Sequence, residues 1–320
     1  MIVSFWSPVK NEYVSSITAL TAMAGCSDFL CKVVLAENYV GADNIGHCLF
    51  GDTFNRLRRE YDRYQSEYFE HGDSFLKFLK KETGKQIYRG RALEVMQEHL
   101  YFMPMNQSLR ADIYEYGFDA EFEDIRDFCE AGFDYLFLNT ASSGNLSTKA
   151  ILNCSDQVVI CLPTAEWILD VVMERYSSLL SKSVILFHGD VDSNYLRRMR
   201  RKYPALRERM YYLPVTEEMK EAIREGHIID FGYRLRRKNR KEKADPVMQK
   251  ISYLAFSVMR KEKHNLRLKY EEMRELFTIR NTEVAVGSFV AEQPCVADAS
   301  FDAGQAFMAG TTQLFQQQSL

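Results

Sequence analysis

The chain has 320 residues, of which 46% are apolar, and its formal net charge is −3. This composition predicts a globular protein with a sizeable core, and a net charge this close to zero gives no indication of a nucleic-acid or membrane partner. The seven cysteines are scattered, without a Cys-x-x-Cys pair or a Cys/His cluster, so they predict neither a disulfide framework nor a metal site. We recognise no signal peptide and no run of membrane-spanning length, and therefore expect a cytoplasmic protein.

The first element is a short apolar run, Ile2–Trp6, that predicts a buried strand, and apolar residues at helical spacing follow from Tyr13 to Ala24. Strand, loop and helix in this order open many nucleotide-binding α/β domains. The loop over residues 7–16 contains no glycine, although a phosphate cradle needs N–H groups in conformations that glycine reaches most readily. Glu12 would place negative charge, and Tyr13 bulk, where a polyphosphate would sit. An ordinary strand-to-helix turn is the alternative.

Patterns of buried strands and of helices alternate through the middle of the chain. Strands are predicted at residues 31–40, 100–103, 134–139, 157–162, 183–188 and 210–213, and helices at 44–50, 52–81, 90–99, 122–131, 165–176, 195–203 and 217–225. The strand at 134–139 is apolar almost throughout, as strands covered on both faces are. The alternation predicts an α/β fold, a doubly wound, mostly parallel sheet with helices on both faces.

The pattern changes beyond Gly226. Residues 234–243 (RLRRKNRKEK) include seven basic side chains in ten, and Pro246 begins a helix that runs to about Arg260. Another helix, strongly charged, is expected at residues 263–280, and the composition of residues 281–320 predicts a flexible tail. We therefore expect an α/β domain over residues 1–262, then a C-terminal helix and the tail.

Three stretches carry a family resemblance. They are Asp134–Gly144 (DYLFLNTASSG), Asn153–Asp170 (NCSDQVVICLPTAEWILD) and the turn and helix over residues 213–226. In order and spacing they resemble the Walker B strand with its switch II turn, the next strand and helix, and a late turn of the MinD/ParA group of deviant Walker A ATPases. Within that group the chain resembles the CpaE/TadZ branch associated with pilus assembly. The resemblance covers about residues 1–262 and implies a P-loop NTPase-like fold.

The phosphate loop departs from that family. If Ser15 and Ser16 match the threonine pair that closes the family's loop, Val14 stands at the principal lysine. Lys10 is then one residue out of register with the second, signature lysine. Ser15 keeps a hydroxyl where magnesium would be ligated, but a helix N-cap or first-turn serine is the simpler interpretation.

Two acidic positions of the family also differ. Asn139 stands where the family usually has a magnesium-linked aspartate, and on the second strand only Glu37 could substitute for an acidic cluster. An amide cannot supply the charge that helps to hold magnesium and orient the attacking water. The resemblance with these departures implies a chain without catalytic residues and without a bound cofactor. Gly144, in the turn that would correspond to switch II, is expected either to contact a neighbouring subunit or to form an ordinary loop.

Three functions remain open. The first is a non-catalytic MinD/ParA-like scaffold or localisation factor, a homodimer through the face that binds nucleotide in active relatives, with a pilus or secretion-assembly partner at the inner face of the cell membrane. The second is an ATPase with a remodelled loop, in which Lys10 and Glu37 replace the missing groups and ATP and magnesium are the cofactors.

The third function is a partition-type protein that binds DNA without sequence specificity. Its contacts would come from the basic run, namely Arg234, Arg236, Arg237, Lys238, Arg240 and Lys241. A second basic group at residues 197–202 would enlarge this surface if the fold brings the two together. A solvated charged loop is the simpler interpretation of the run.

His188–Asp190 is expected to be loop structure, and Trp167 to supply core or interface surface.

Overall fold

The computed structural model describes residues 1–10, 13–38, 44–55, 92–96, 98–103, 115, 122, 126–127, 129–130, 132–142, 144–189, 193–238 and 245–259. These residues belong to a compact unit, Met1–Tyr270. The second unit, Glu271–Leu320, lies outside the described residues, as do most of the helix predicted at 52–81 and all of the helix predicted at 263–280. The tail predicted at 281–320 therefore stays a prediction.

Eight strands of the described chain form one sheet in the order β3-β4-β2-β5-β1-β6-β7-β8. They are β1 (Ile2–Trp6), β2 (Val33–Glu37), β3 (Leu93–Met96), β4 (Leu100–Phe102), β5 (Tyr135–Asn139), β6 (Gln157–Leu162), β7 (Ser183–Gly189) and β8 (Met210–Pro214). All neighbours are parallel except β3 and β4, which are antiparallel. The predicted mostly parallel α/β sheet is confirmed.

Helices cover both faces of this sheet. They are α1 (Val14–Phe29), α2 (Ile45–Phe50), α3 (Leu146–Cys154), α4 (Glu166–Arg175), α5 (Ser193–Lys202), α6 (Glu217–Glu225), α7 (Ile228–Lys238) and α8 (Pro246–Val258). Short 3-10 helices lie at Gly51–Thr53, Ser177–Lys182 and Pro204–Arg209.

Alternating side chains of the strands assign each helix to a face. Val3 and Phe5 of β1 pack in the cluster that includes α1, α2, α6, α7 and α8, whereas Trp6 packs in the cluster that includes α3, α4 and α5. We call these the α1 face and the α4 face. Successive residues of a strand point to opposite sides. Strand β1 places apolar residues in both clusters, so it is apolar on both faces, as expected for a covered central strand.

One predicted element is wrong. Residues 90–99 were expected to be helical, but Leu93–Met96 is strand β3, paired antiparallel with β4. A tight turn joins the two strands: the His99 N–H donates to the Met96 carbonyl over 3.1 Å, and Glu98 lies at φ 62°. Leu, Glu and Met favour helices locally, and pairing with a neighbouring strand overrides that preference.

Two helix ends on the α1 face approach each other through glycine. Gly226 ends α6 at φ 72° and Gly51 follows α2 at φ 53°, both in the left-handed region. A Cβ on Gly226 would lie 1.9 Å from the Gly51 nitrogen, and a Cβ on Gly51 would lie 2.4 Å from the Glu225 carbonyl oxygen. Neither position has room for a side chain, and the helix end that the family resemblance placed at Gly226 is found there.

Candidate functional site

The carboxyl ends of β1, β2 and β5 meet at one edge of the sheet, where ligands bind in many α/β folds. Most polar side chains on this edge are buried. Ser15 is 2% exposed, Glu37 7%, Asn38 2% and Asn139 1%. A buried polar group needs a hydrogen-bond partner, so the partners of these four side chains define what the site can do.

The described residues of the loop that leaves β1 offer few groups that could hold phosphate. The Val9 N–H reaches only the Ser7 hydroxyl, at 3.5 Å. Lys10 is exposed, and Glu12 lies outside the described residues. Tyr13 precedes α1 with backbone angles of −100° and −4° and without a side-chain cap to the helix.

The start of α1 is part of the core. Val14, which the sequence resemblance matches to the principal lysine, is 6% exposed and packs in the α1-face cluster. Ser16 is fully buried, and its hydroxyl donates to the Tyr13 carbonyl over 3.0 Å. Neither side chain offers a charge or a free hydroxyl to the loop above it. Ser15 lies in the first turn of the helix, as the simpler interpretation expected.

The hydroxyl of Ser15 accepts a hydrogen bond from the Asn139 side chain. The distance from Asn139 Nδ2 to Ser15 Oγ is 2.8 Å. A magnesium ligand must turn a lone pair toward the ion, whereas the amide nitrogen turns a proton toward the serine oxygen. The two positions that the sequence resemblance matches to magnesium-linked groups are here joined to each other.

Glu37 is engaged at the start of a helix. Its Oε2 accepts from the Ile45 N–H over 2.9 Å, and Asn44 accepts from the His47 N–H over 2.8 Å, so both side chains cap α2. A carboxylate at a helix N-terminus is favourable because it satisfies an unpaired N–H and the helix dipole. This contact places the Glu37 carboxylate toward α2.

Asn38 and Glu115 are two further polar side chains near this edge, and the sequence did not predict their hydrogen bonds. Asn38 accepts from the Ala141 N–H over 2.6 Å, and Glu115 accepts from the Ser147 N–H over 2.8 Å. Both contacts tie down the segment after β5. Glu115 gave no signal because its pattern is that of an ordinary surface glutamate.

The segment after β5 ends in an exposed surface. Gly144 is exposed, and a Cβ added there would meet nothing within 4 Å, so a glycine is not required for close packing. Leu146, the first residue of α3, is 62% exposed, and Trp167 at the start of α4 is 63% exposed. Trp167 is therefore not a core residue, and interface surface remains the prediction for it.

On the other side of β1, the ring of Tyr13 packs edge-on against His188, with centroids 5.3 Å apart. His188 is 5% exposed, and burial lowers its pKa to about 4, so the imidazole is neutral at pH 7. His188 is the penultimate residue of β7, and so belongs to the strand rather than to the loop.

The described part of the basic run, residues 234–238, is helical rather than a loop, because it lies in α7. Arg234 is exposed, but Arg236 is only 29% exposed and donates to Asp28 on α1 over 2.5 Å. Arg237 and Lys238 belong to the helix, while Arg240 and Lys241 lie outside the described residues. Helix periodicity gives Arg234 and Arg236 different surroundings, so these two cations do not share one exposed face.

The second basic group does not join the first. Helix α5 packs on the α4 face and α7 on the α1 face. Two cations of α5 pair with carboxylates of α4: Arg198 with Glu166 at 2.6 Å and Lys202 with Asp170 at 3.1 Å. The hydrogen bonds from Tyr203 and Lys202 hold the pKa of the Asp170 carboxyl below its usual value.

Within the described parts of the chain, no group of three or more His, Cys, Asp or Glu side chains has the arrangement of a metal site. The described helices include none with the length and apolar character needed to cross a bilayer.

Burial raises the pKa of the thiols of Cys26, Cys129 and Cys161, so these cysteines stay protonated core residues.

Comparison with solved structures identifies the fold. The chain is similar to a ParA family ATPase from Chlorobium tepidum TLS, with 14% identity, a TM-score of 0.55, and coverage of 80% of this chain and 98% of that one. It is also similar to a chain of the MinC:MinD cell division protein complex of Aquifex aeolicus, with 12% identity, a TM-score of 0.53, and coverage of 81% and 95%. For the MinD cell division protein of Aquifex aeolicus the identity is 13%, the TM-score 0.52, and the coverage 81% and 96%.

No protein-family model and no curated protein matches the sequence. At identities this low, structural likeness establishes the fold and nothing more specific. The chain has the MinD/ParA-like fold.

Proposed function

We propose that this chain is a MinD/ParA-like scaffold or localisation factor that does not hydrolyse ATP. The observation that carries the proposal is the hydrogen bond from Asn139 to Ser15. It joins two positions at which the resembled family binds magnesium, and it does so with an uncharged donor. The burial of Val14 in the core and the use of Glu37 as a helix cap support the same conclusion.

These residues do not fit a bound ATP–magnesium complex. Phosphate binding calls for inward N–H groups and a lysine at the helix start, and the ion calls for oxygen ligands with free lone pairs. Val14 supplies no charge, and the Ser15 oxygen faces the amide N–H of Asn139. No chemical step is therefore assigned to this edge of the sheet.

Calorimetry and turnover assays test the absence of ATPase activity. We expect purified protein to show neither heat nor thermal stabilisation with millimolar ATP and magnesium, because a ligand that binds the folded state must raise its stability. Steady ATP turnover that is lost in Ser15→Ala would overturn the proposal. The matched control is Ser27→Ala, on the same helix but away from the loop.

The scaffold would act as a homodimer through the carboxyl edge of the sheet. Leu146 and Trp167 begin the two helices that follow β5 and β6, the strands on either side of β1, and both side chains are more than 60% exposed. Exposed large apolar side chains that share one edge are characteristic of interaction sites. A twofold interface would cover the patches of both copies at once.

Sedimentation of variants tests this interface. Leu146→Glu with Trp167→Glu should weaken self-association at least about tenfold, because two charges would replace the apolar contacts. Leu30→Glu is the control: Leu30 is 63% exposed and follows α1 at the opposite edge of the sheet. Wild type that is monomeric at high concentration would refute the homodimer.

The resemblance to the CpaE/TadZ branch supports a role in assembling a pilus or secretion system at the inner face of the membrane. We expect membrane-embedded assembly proteins to co-purify with the tagged wild-type chain. The Leu146→Glu, Trp167→Glu variant should lose them if the partner needs the dimer. Recovery of chromosomal or plasmid DNA instead, lost on raising the salt concentration, would favour a partition-type function.

A further inference from the structure

The segment between β5 and α3, residues 140–145, is held from two sides, and we call it the β5 turn; Ser143 within it lies outside the described residues. We propose that Asn38 and Glu115 form a clamp that fixes the β5 turn and so presents Leu146 for docking without any bound ligand. The docking role of Leu146 rests on the proposed function, whereas the clamp itself rests on the contacts described here.

Asn38 fixes the beginning of the turn. Its Oδ1 accepts from the Ala141 N–H over 2.6 Å, and its Nδ2 donates to the hydroxyls of Ser147 and Thr148 over 3.2 and 3.4 Å. The side chain is 2% exposed and its backbone N–H donates to the Asn139 carbonyl over 3.2 Å. One amide group therefore joins the end of β2 to both the turn and the helix that follows it.

Glu115 fixes the end of the turn. One of its oxygens, Oε1, accepts from Asn145 Nδ2 over 2.5 Å and from the Ser147 hydroxyl over 2.6 Å, and the other accepts from the Ser147 N–H over 2.8 Å. A carboxylate is the strongest acceptor for unpaired N–H groups at the start of a helix. The first turn of α3 is thus capped by a residue far away in the sequence.

Ser147 links the two sides. Its fully buried hydroxyl donates to Glu115 and accepts from Asn38, so the two clamp residues act on one atom. Thr148 closes a smaller ring, because its hydroxyl donates to the Ala141 carbonyl over 3.3 Å. A fully connected network of this kind favours a single conformation.

Leu146 lies between the two groups that the clamp holds. Its neighbours Asn145 and Ser147 both donate to Glu115, and its own side chain is 62% exposed. A docking residue on an ordered segment loses less conformational entropy on binding than one on a mobile loop. The clamp therefore acts as a positioning device for the interface, with Asn38 and Glu115 as its positioning residues.

Two backbone amides report on the clamp directly. The Ala141 N–H is bonded to Asn38 and the Ser147 N–H to Glu115. Hydrogen exchange should therefore be about tenfold faster at Ala141 in Asn38→Ala and at Ser147 in Glu115→Ala, because each amide loses its acceptor. Lys149→Ala, an exposed substitution on the same helix, is the matched control and should leave both rates unchanged.

The experiment uses the whole 320-residue chain, with and without Leu146→Glu and Trp167→Glu, so that effects on the dimer and on the clamp are measured separately. If Asn38→Ala does not fold, the half-buried Glu115 provides the second variant. Unchanged exchange at Ser147 in Glu115→Ala would overturn the clamp. Faster exchange in the clamp variants together with unchanged self-association would overturn the positioning role of the clamp. If the wild type never associates, faster exchange in the variants would support the clamp and reject the proposed dimer.

Discussion

Two polar clusters of this chain differ in whether they carry charge. At the carboxyl edge, Asn139 and Ser15 satisfy each other with neutral groups. On the α1 face, Asp28 accepts from Arg236 of α7 and from Ser252 of α8, and so joins three helices through an ion pair. Charged side chains form an ion pair between helices on the α1 face. At the carboxyl edge, a neutral amide stands where the resembled ATPases use a carboxylate. This difference is the one expected under the proposed function, in which the chain associates and does not hydrolyse ATP.

The largest effect is expected from placing a charge at position 139, where the Asn139 amide is neutral. Asn139→Asp should lower the free energy of unfolding at pH 7 by about 4 kcal/mol, because an unpaired carboxylate would be buried beside Glu37, its register partner on β2. The pKa of the new carboxyl would be raised, so the loss should shrink as the pH falls and the group is protonated. Urea titrations at pH 7 and pH 4 measure it.

The control for this substitution is Asn55→Asp, at an exposed position. Wild-type stability of Asn139→Asp, or ATP turnover gained by it, would contradict the comparison, since the edge would then tolerate the charge that catalysis requires.

A second expectation concerns His188, which burial keeps neutral at the same edge. Its pKa of about 4 in the folded chain lies below the ordinary value of 6.5. Between these values the unfolded chain binds a proton that the folded chain does not, so this contribution is complete above pH 6.5 and is lost as the pH falls toward 4. The loss amounts to about 3 kcal/mol.

The pH dependence of unfolding in His188→Asn measures this contribution. The variant should lack the decline between pH 6.5 and 4, whatever its absolute stability. His227→Asn, at an exposed histidine, should keep the decline. An unaltered decline in His188→Asn would mean that the edge does not exclude charge at this position.

The ion pair on the α1 face should have a smaller effect. Arg236→Ala should cost about 2 kcal/mol, because Asp28, 20% exposed, would lose its cation while remaining half buried. Arg234→Ala, on the exposed side of the same helix, should change the free energy of unfolding by less than about 0.5 kcal/mol. Equal effects of the two substitutions in urea unfolding would show that the junction does not depend on its charge.

The smallest effect is expected from the neutral bond itself. Ser15→Ala should cost about 1 kcal/mol, because the Asn139 amide would lose the hydroxyl as acceptor. Ser27→Ala is the control, since the Ser27 hydroxyl is buried without a hydrogen-bond partner among the described residues. Thermal unfolding compares the two variants, and a cost no greater for Ser15→Ala than for Ser27→Ala would show that this hydrogen bond does not stabilise the fold.

The sequence predicted most of the sheet because its signals are local. Buried parallel strands such as β5 are short apolar runs, and the glycine that ends α6 is visible beside its helix. Strand β3 was missed because its residues favour a helix until β4 pairs with them. The predicted site positions Ser15, Glu37 and Asn139 do come together, since three parallel strands end at one edge.

Partners that are distant in the sequence could not be predicted. Arg236 seemed free for DNA, yet its carboxylate lies 208 residues away on α1. Asn38 contacts residues 103 to 110 positions further along the chain, and no local pattern marks such a contact. Local composition fixes which side chains are polar, but only the folded chain decides which of them satisfy each other.

The close approach of Gly51 and Gly226 gives α2 a mechanical role. Glu37 holds the first turn of this helix at the carboxyl edge, and the glycine contact holds its other end against α6. A six-residue helix that is held at both ends has little freedom to move relative to the elements that hold it. Helix α2 therefore fixes the separation between the end of β2 and α6 on the α1 face.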